Sequence, residues 1–133
     1  MRPDINCDLG EGIGNDALII PFITSANIAC GYHAGDIDTM HQTIAICLKH
    51  NVSIGAHPSF LDRENFGRTE INLPVDDLYE LLTQQLIIFS EVADIFDKTI
   101  NHVKPHGALY NMSAKDAFIA NIIAKAVNDF DSN

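Results

Sequence analysis

The sequence predicts an α/β fold of the barrel type, with parallel strands around a polar interior and helices packed outside them. Three observations lead there. Short strands alternate with amphipathic helices four times along the chain, the pattern that right-handed βαβ units produce. Each strand divides by parity into one apolar face and one face of polar or very small residues, whereas a sheet covered by helices on both sides is apolar on both faces. Each long helix carries one apolar stripe, so it covers one side of a sheet. The 133 residues read as one domain, residues 1–133. A closed barrel of this kind takes about 250 residues, so the chain accounts for about the first four β/α units.

Strand one is expected from Asp4 to Leu9, with Ile5, Cys7 and Leu9 on one face and Asn6 and Asp8 on the other. Gly10, Glu11 and Gly12 turn the chain into a short first helix near Asp16, which Pro21 limits. Strand two, Ala26 to Tyr32, sets Ala26, Ile28 and Cys30 against Asn27, Ala29 and Gly31, and the polar parity continues to His33. Asp36 is the N-cap of helix two, whose stripe is Ile37, Met40, Ile44, Cys47 and Leu48. Strand three, Val52 to Ala56, opposes Ile54 and Ala56 to Ser53, Gly55 and, beyond its end, His57. Pro58 to Pro74 is a long loop, and loops of that length in compact domains are often functional.

Helix three enters after Pro74 and buries Leu78, Leu82, Leu86, Phe89, Ala93 and Phe96. Strand four, His102 to Lys104, opposes Val103 and Pro105 to His102, Lys104 and His106. Helix four is expected to open at Ser113, with Asp116 three residues on completing a near capping box. Its stripe is Ile119, Ile122, Ile123, Ala126, Val127 and Phe130.

Composition narrows the function. Eighteen acidic residues against eight Lys and Arg give a formal net charge of −10, which repels phosphate backbones and anionic headgroups and argues against nucleic-acid and membrane partners. No apolar stretch approaches the roughly 20 residues of a membrane span, and the N-terminus leads straight into a polar-bearing strand, so a cytoplasmic protein is expected. Cys7, Cys30 and Cys47 are odd in number and contain no C-x-x-C pair, which fits reduced, buried thiols rather than disulfides or a zinc ribbon.

The polar parity carries the chemistry. Asp8, His33, His57 and His106 all fall on the inner face near strand ends, and neighbouring strands lie about 4.8 Å apart, so the four groups converge at the C-terminal mouth where barrel enzymes build their sites. Lys104 points inward beside them. A lone interior histidine is usually a satisfied core residue, but three in register are not readily explained that way. His41, His50 and His102 read as structural or solvated. Gly10 to Gly14 has the look of a phosphate cradle but lacks the G-x-G-x-x-G spacing, and a tight turn explains it equally well. Arg63 and Arg68 of the long loop are candidate anion clamps, and no Ser or Cys stands in a nucleophile context.

Four segments in order resemble the LamB/YcsF family: Asn6-Cys7-Asp8-Leu9-Gly10-Glu11-Gly12, Thr24 to Asp36 (TSANIACGYHAGD), Ile54-Gly55-Ala56-His57-Pro58, and His102 to Asn111 (HVKPHGALYN). The loop Asp62 to Arg68 matches as well. The resemblance implies an incomplete seven-stranded β/α barrel of the glycoside hydrolase/deacetylase type, in chains about twice as long. It implies an ATP-driven (Mg-ATP) opening of the 5-oxoproline lactam to L-glutamate by a 5-oxoprolinase A subunit working with B and C subunits. Asp8, His33, His57, Lys104 and His106 are then the expected catalytic residues, and Asn6, Glu11, Asn27, Arg68 and Tyr110 the expected substrate contacts. That chemistry can run on histidine and lysine, so a metal is possible but not the favoured expectation. A divalent ion on Asp8, His33, His57 and His106 belongs to a second reading, a metal-dependent amide or carbohydrate deacetylase. A third reading is a non-catalytic half-barrel assembly module. The unclosed strand edges also lead one to expect a homo-oligomer or a longer polypeptide.

Overall fold

The computed structural model describes residues 3–131. The chain runs β1 (Asn6–Leu9), α1 (Asp16–Ile19), a 3-10 turn (Ile20–Phe22), β2 (Ser25–Ala29), α2 (Ile37–Lys49), β3 (Ser53–His57), α3 (Val75–Asp94), β4 (His102–Val103), α4 (Gly107–Lys115) and α5 (Ala117–Asp131). The strands form one sheet in the order β1-β2-β3-β4, every pairing parallel. Among the described residues β1 and β4 are each paired on one side only, so the sheet is open.

Register turns strand parity into two surfaces. Asp8 stands opposite Asn27, Asn27 opposite Gly55, and Gly55 opposite His102, which makes one polar row across all four strands. The next row, Leu9, Ile28, Ala56 and Val103, faces the helices. There Leu9, Ala26, Ile28, Cys30, Ile54 and Ala56 pack with Met40, Ile44 and Cys47 of α2 and Leu86, Phe89, Val92 and Ala93 of α3. Each large side chain fully buried in this layer contributes about 1.5–3 kcal/mol. A second cluster joins Phe60 of the long loop to Leu78 and Leu82 of α3, Ala108 and Leu109 of α4, and Ile122, Ile123 and Ala126 of α5. It anchors the loop that follows β3. An open sheet, polar on one side and helix-covered on the other, is what a portion of a β/α barrel presents.

The elements differ from the sequence expectation in a few places. β2 ends at Ala29 rather than Tyr32, because Gly31 takes a positive φ of 89° that leaves the extended path. β4 has two residues, since Pro105 lacks the N–H to continue a ladder, although the Lys104 amide still donates to the Ala56 carbonyl at 3.0 Å. The helix expected to open at Ser113 is two helices. Gly107, at φ 56°, turns the chain directly into α4, and the Ser113 hydroxyl donates to the Tyr110 carbonyl inside it. Asp116 is extended, and its carboxylate accepts the Phe118 amide proton at 2.8 Å, starting α5. Asp36 caps α2 as expected, accepting from the Thr39 amide at 2.7 Å. No helix among the described residues is long and apolar enough to cross a membrane.

Gly55 marks the tightest point of the polar row. A Cβ built there would overlap the His102 imidazole, whose Nε2 donates to Asn27 Oδ1 at 2.7 Å. Gly55→Ala is therefore expected to destabilise the protein by about 1–3 kcal/mol, and to be near neutral on a His102→Ala background. Urea unfolding of the four members of that cycle checks it; equal costs on both backgrounds would place the strain elsewhere.

Candidate active site

The polar face is organised from the floor upward. Asn6 Nδ2 donates to Ser25 Oγ at 2.7 Å and to Asn27 Oδ1 at 3.2 Å. Asn27 has no exposed surface, and its amide is fully used: Nδ2 donates to Asn6 Oδ1 and, at 2.7 Å, to Asp8 Oδ1, while Oδ1 accepts from Asn6 and His102. Asn6 and Asn27, expected as substrate contacts, thus lie beneath Asp8 and orient it. Above them Lys104 Nζ bridges both oxygens of Asp8 at 3.0 and 3.3 Å. Burial works to raise the Asp8 carboxyl, but the Asn27 hydrogen bond and the hydrogen bond and charge of Lys104 pull it the other way, and the group lies below the usual carboxylate range.

Three imidazoles sit beside this pair. His33 and His106 stack with centroids 3.8 Å apart and planes 9° from parallel, and His57 meets both edge-on at 5.6 and 4.9 Å. The outer nitrogen of each ring has a fixed partner. His57 Nδ1 donates to the Lys104 carbonyl at 2.6 Å, and His106 Nε2 to the Phe66 carbonyl at 2.8 Å. His33 Nδ1 donates to Ser59 Oγ at 3.0 Å, because the Ser59 hydroxyl proton is already given to the Phe60 carbonyl at 2.9 Å. These partners assign the tautomers and leave a lone pair on each inner nitrogen. Burial pushes His57 down to about 4, against the opposing pull of Asp8 and the Lys104 carbonyl, and burial likewise lowers His106.

Glu11 completes the group. The turn through Gly10 (φ 73°) and Gly12 (φ 78°) brings its side chain over the sheet end, where Oε1 lies 3.0 Å from His33 Nε2 and 3.7 Å from His106 Nδ1. Ligand atoms of Glu11, His33, His57 and His106 all fall within 4.8 Å of one another. Asp8, expected in the ligand set from parity, is on its margin, with Oδ2 3.5 Å from His57 Nε2. The structure brings Asp8, His33, His57, Lys104 and His106 together at the C-terminal ends of the strands. It leaves Tyr110 half exposed on α4, outside the hydrogen-bonded cluster, and Arg68 exposed with its guanidinium 5.3 Å from the centre of the Phe66 ring. Arg63 is tied into the fold, donating to the Gly31 and Gly35 carbonyls at 2.7 and 2.8 Å. The Gly10 amide is taken by Asp16 Oδ2 at 2.8 Å, which makes the glycine run a structural turn. Burial pushes the Cys30 and Cys47 thiols up to about 12, so neither supplies a thiolate.

Two supports were not anticipated from the sequence. Gln85 of α3 is fully buried and grips the long loop at Ser59: its Oε1 accepts the Ser59 amide proton and its Nε2 donates to the Ser59 carbonyl, both at 2.9 Å. Gly67, at φ 67°, passes so close that a Cβ would lie 2.9 Å from both His106 Cδ2 and His33 Cβ. The one signal for Gln85 was a polar residue beside Leu82, Leu86 and Phe89 in an apolar stripe. A groove of about 950 Å³ lies away from the histidines, between α3, β4 and α5, and is lined by Tyr79, Thr83, Ile87, Val103 and Val127 among others.

The model of the LamB/YcsF family matches residues 3–133. The chain is 53% identical to the A subunit of 5-oxoprolinase from Staphylococcus aureus strain JH9 over 136 aligned positions, covering 98% of this chain and 54% of the relative; the protein of the same name from strain Newman gives the same figures. The crystal structure of a lactam utilization protein from Thermus thermophilus superposes with a TM-score of 0.95 at 38% identity, over 98% of this chain and 55% of that one. The chain thus spans about half the length of the relatives it matches.

Gln85→Leu is expected to cost about 1–3 kcal/mol, because it strands the buried Ser59 amide and carbonyl, and to speed limited proteolysis within residues 58–74. Unchanged stability and unchanged cleavage would mean the loop is held by its other contacts.

Proposed function

The chain belongs to the LamB/YcsF family, and from that membership and the site's geometry we propose that it carries the catalytic groups of a 5-oxoprolinase A subunit. The reaction is the opening of the 5-oxoproline lactam to L-glutamate, driven by ATP as its magnesium complex and performed with B and C partner subunits. The observation that carries the reading is the Asp8–Lys104 pair beside three inward-facing imidazoles, in a chain 53% identical to a protein named for that role.

The residues suit the chemistry. A lactam carbonyl is a poor electrophile, and transfer of phosphate to its oxygen makes the carbon open to water. Water then adds to that carbon, the ring C–N bond breaks with a proton delivered to nitrogen to leave an acyl phosphate, and a second water hydrolyses the acyl phosphate to the carboxylate and inorganic phosphate. A neutral His57, with its Nδ1 proton tied to the Lys104 carbonyl, offers Nε2 as the base toward that water. Lys104, whose side chain is 40% exposed, reaches the solvent side of Asp8 and is placed to stabilise negative charge developing on the substrate. Arg68 supplies a second cation at the rim, suited to a substrate carboxylate.

Lys104→Met, made in a chain of the relatives' full length and assayed with the partner subunits, is expected to lower glutamate release about 10²–10³-fold. Because Lys104 is half exposed, the melting temperature should stay within a few degrees. Turnover within a few-fold of wild type would remove Lys104 from the chemistry and take away the main support for this assignment of the site.

A further inference from the structure

We propose that Glu11, His33, His57 and His106 bind a divalent transition-metal ion, with zinc the best fit. The hydrogen-bond network is the reason. Each outer ring nitrogen is held in its protonated form by an acceptor with no proton to offer: the Lys104 carbonyl, the Phe66 carbonyl, and a Ser59 oxygen whose own proton is spent on Phe60. With one proton on each ring, each inner nitrogen is then a bare lone pair. Yet His57 Nε2 and His106 Nδ1 face each other at 3.0 Å, and His33 Nε2 faces a carboxylate oxygen of Glu11 at 3.0 Å. With one proton per ring, held at the outer nitrogen, neither contact has a proton to make it a hydrogen bond. Four acceptor atoms pointed at one volume suit a cation between them.

Geometry and donor type agree. An ion in tetrahedral coordination with bonds of about 2.0–2.1 Å separates its ligand atoms by roughly 3.3 Å; three of the separations among these atoms are 3.0, 3.0 and 3.7 Å, and all fall within 4.8 Å. Three imidazoles and one carboxylate favour zinc and its neighbours over magnesium or calcium, which prefer all-oxygen shells. Carbonyl and hydroxyl partners on the far ring nitrogens are the usual support of metal-bound histidine. The charge balance points the same way. The Glu11 side chain is 8% exposed, and its ion-pair partners among the described residues are the imidazoles alone, since Lys104 is engaged with Asp8. A buried carboxylate without a countercharge is costly.

Asp8 stays outside the shell because Asn27 and Lys104 hold its oxygens. It lies instead on the solvent side, so a water or carbonyl entering past Asp8 and Lys104 meets the ion. Binding does not depend on the ring-opening reaction proposed above; where the ion is bound His57 Nε2 is a ligand and not the base, activation of the water would pass to the ion, and only that catalytic use rests on the reading.

The test needs no substrate. The full-length chain is loaded with zinc, dialysed against a weak chelator, checked for folding by circular dichroism and analysed for metal by mass spectrometry. One ion per folded wild-type chain is expected, and cobalt(II) should give the strong visible absorption of a tetrahedral site. Glu11→Gln and His106→Gln should weaken zinc binding by at least 100-fold, while Asp8→Asn stays within a few-fold of wild type. A folded wild-type chain that retains no ion overturns the proposal, and so does an Asp8→Asn variant as impaired as Glu11→Gln. Zinc-loaded protein that never opens 5-oxoproline with its partners would count against the reaction and leave the metal site standing. Wild-type protein that retains no ion after loading and yet turns over fully would do the reverse.

Discussion

A polar face enclosed by a sheet must satisfy its buried donors and acceptors from its own side chains, and much of this structure follows from that constraint. Water cannot reach Asn27, so its amide is met by Asn6 and Asp8 from the adjoining strand β1 and by His102 reaching across from β4. Gly55 has no side chain because the His102 ring must cross that position to reach Asn27. Among the described residues no buried side-chain nitrogen or oxygen lacks a polar neighbour within hydrogen-bond distance. Each one left unmet would cost about 1–3 kcal/mol, a large share of a typical domain's margin. The inner nitrogens of the histidines are the point where this economy is incomplete within the chain itself, because their neighbours are acceptors too.

The long loop exists to serve the same cluster. Residues 58–74 supply the Ser59 hydroxyl and the Phe66 carbonyl that orient two of the rings, and Phe66 packs edge-on against His33 and His106. The loop can act as a rigid support only because it is fixed at several places: Gln85 at Ser59, Phe60 in the second core cluster, and the Gly67 carbonyl accepting the Ala108 amide at 2.9 Å. Gly67 and Gly107 make the last contact feasible, since both need positive φ and neither has room for a Cβ. Loop, helix and imidazole stack therefore form one mechanical unit.

Much of this was legible from residue order alone, because a strand has a period of two and the polar and apolar sets are cleanly separated in all four strands. Parity placed Asp8, His57, Lys104 and His106 on one face. It gave no guidance in the turn after β1. Glu11 lies in a glycine turn, where alternation no longer says which way a side chain points, so parity could not set it among the histidines, and only the family resemblance named it, as a substrate contact. Gln85 was hidden by its setting in an apolar stripe, where a polar residue reads as a boundary rather than a clamp. The α4–α5 break was missed because α4 buries only Ala108 and Leu109, too little for a periodic signal, although Gly107 and Asp116 were both available as punctuation.

Assembly of the cluster and its enclosure are separate problems. Every group in it comes from the ends of β1 to β4 and the loop after β3, so its hydrogen bonds and tautomers are set by contacts within this stretch of chain. Enclosure is different. Among the described residues both sheet edges are paired on one side only, and the Asp8 and Lys104 side chains are 37% and 40% exposed. Water at that rim screens the Asp8–Lys104 pair and weakens any stabilisation Lys104 could give a developing oxyanion, because such interactions gain their strength from a dry surrounding. Covering the open edge with further strands or a partner would leave the imidazole geometry as it is and strengthen the electrostatics around it. Binding at the histidines should therefore be largely insensitive to what covers the rim, while turnover should depend on it steeply.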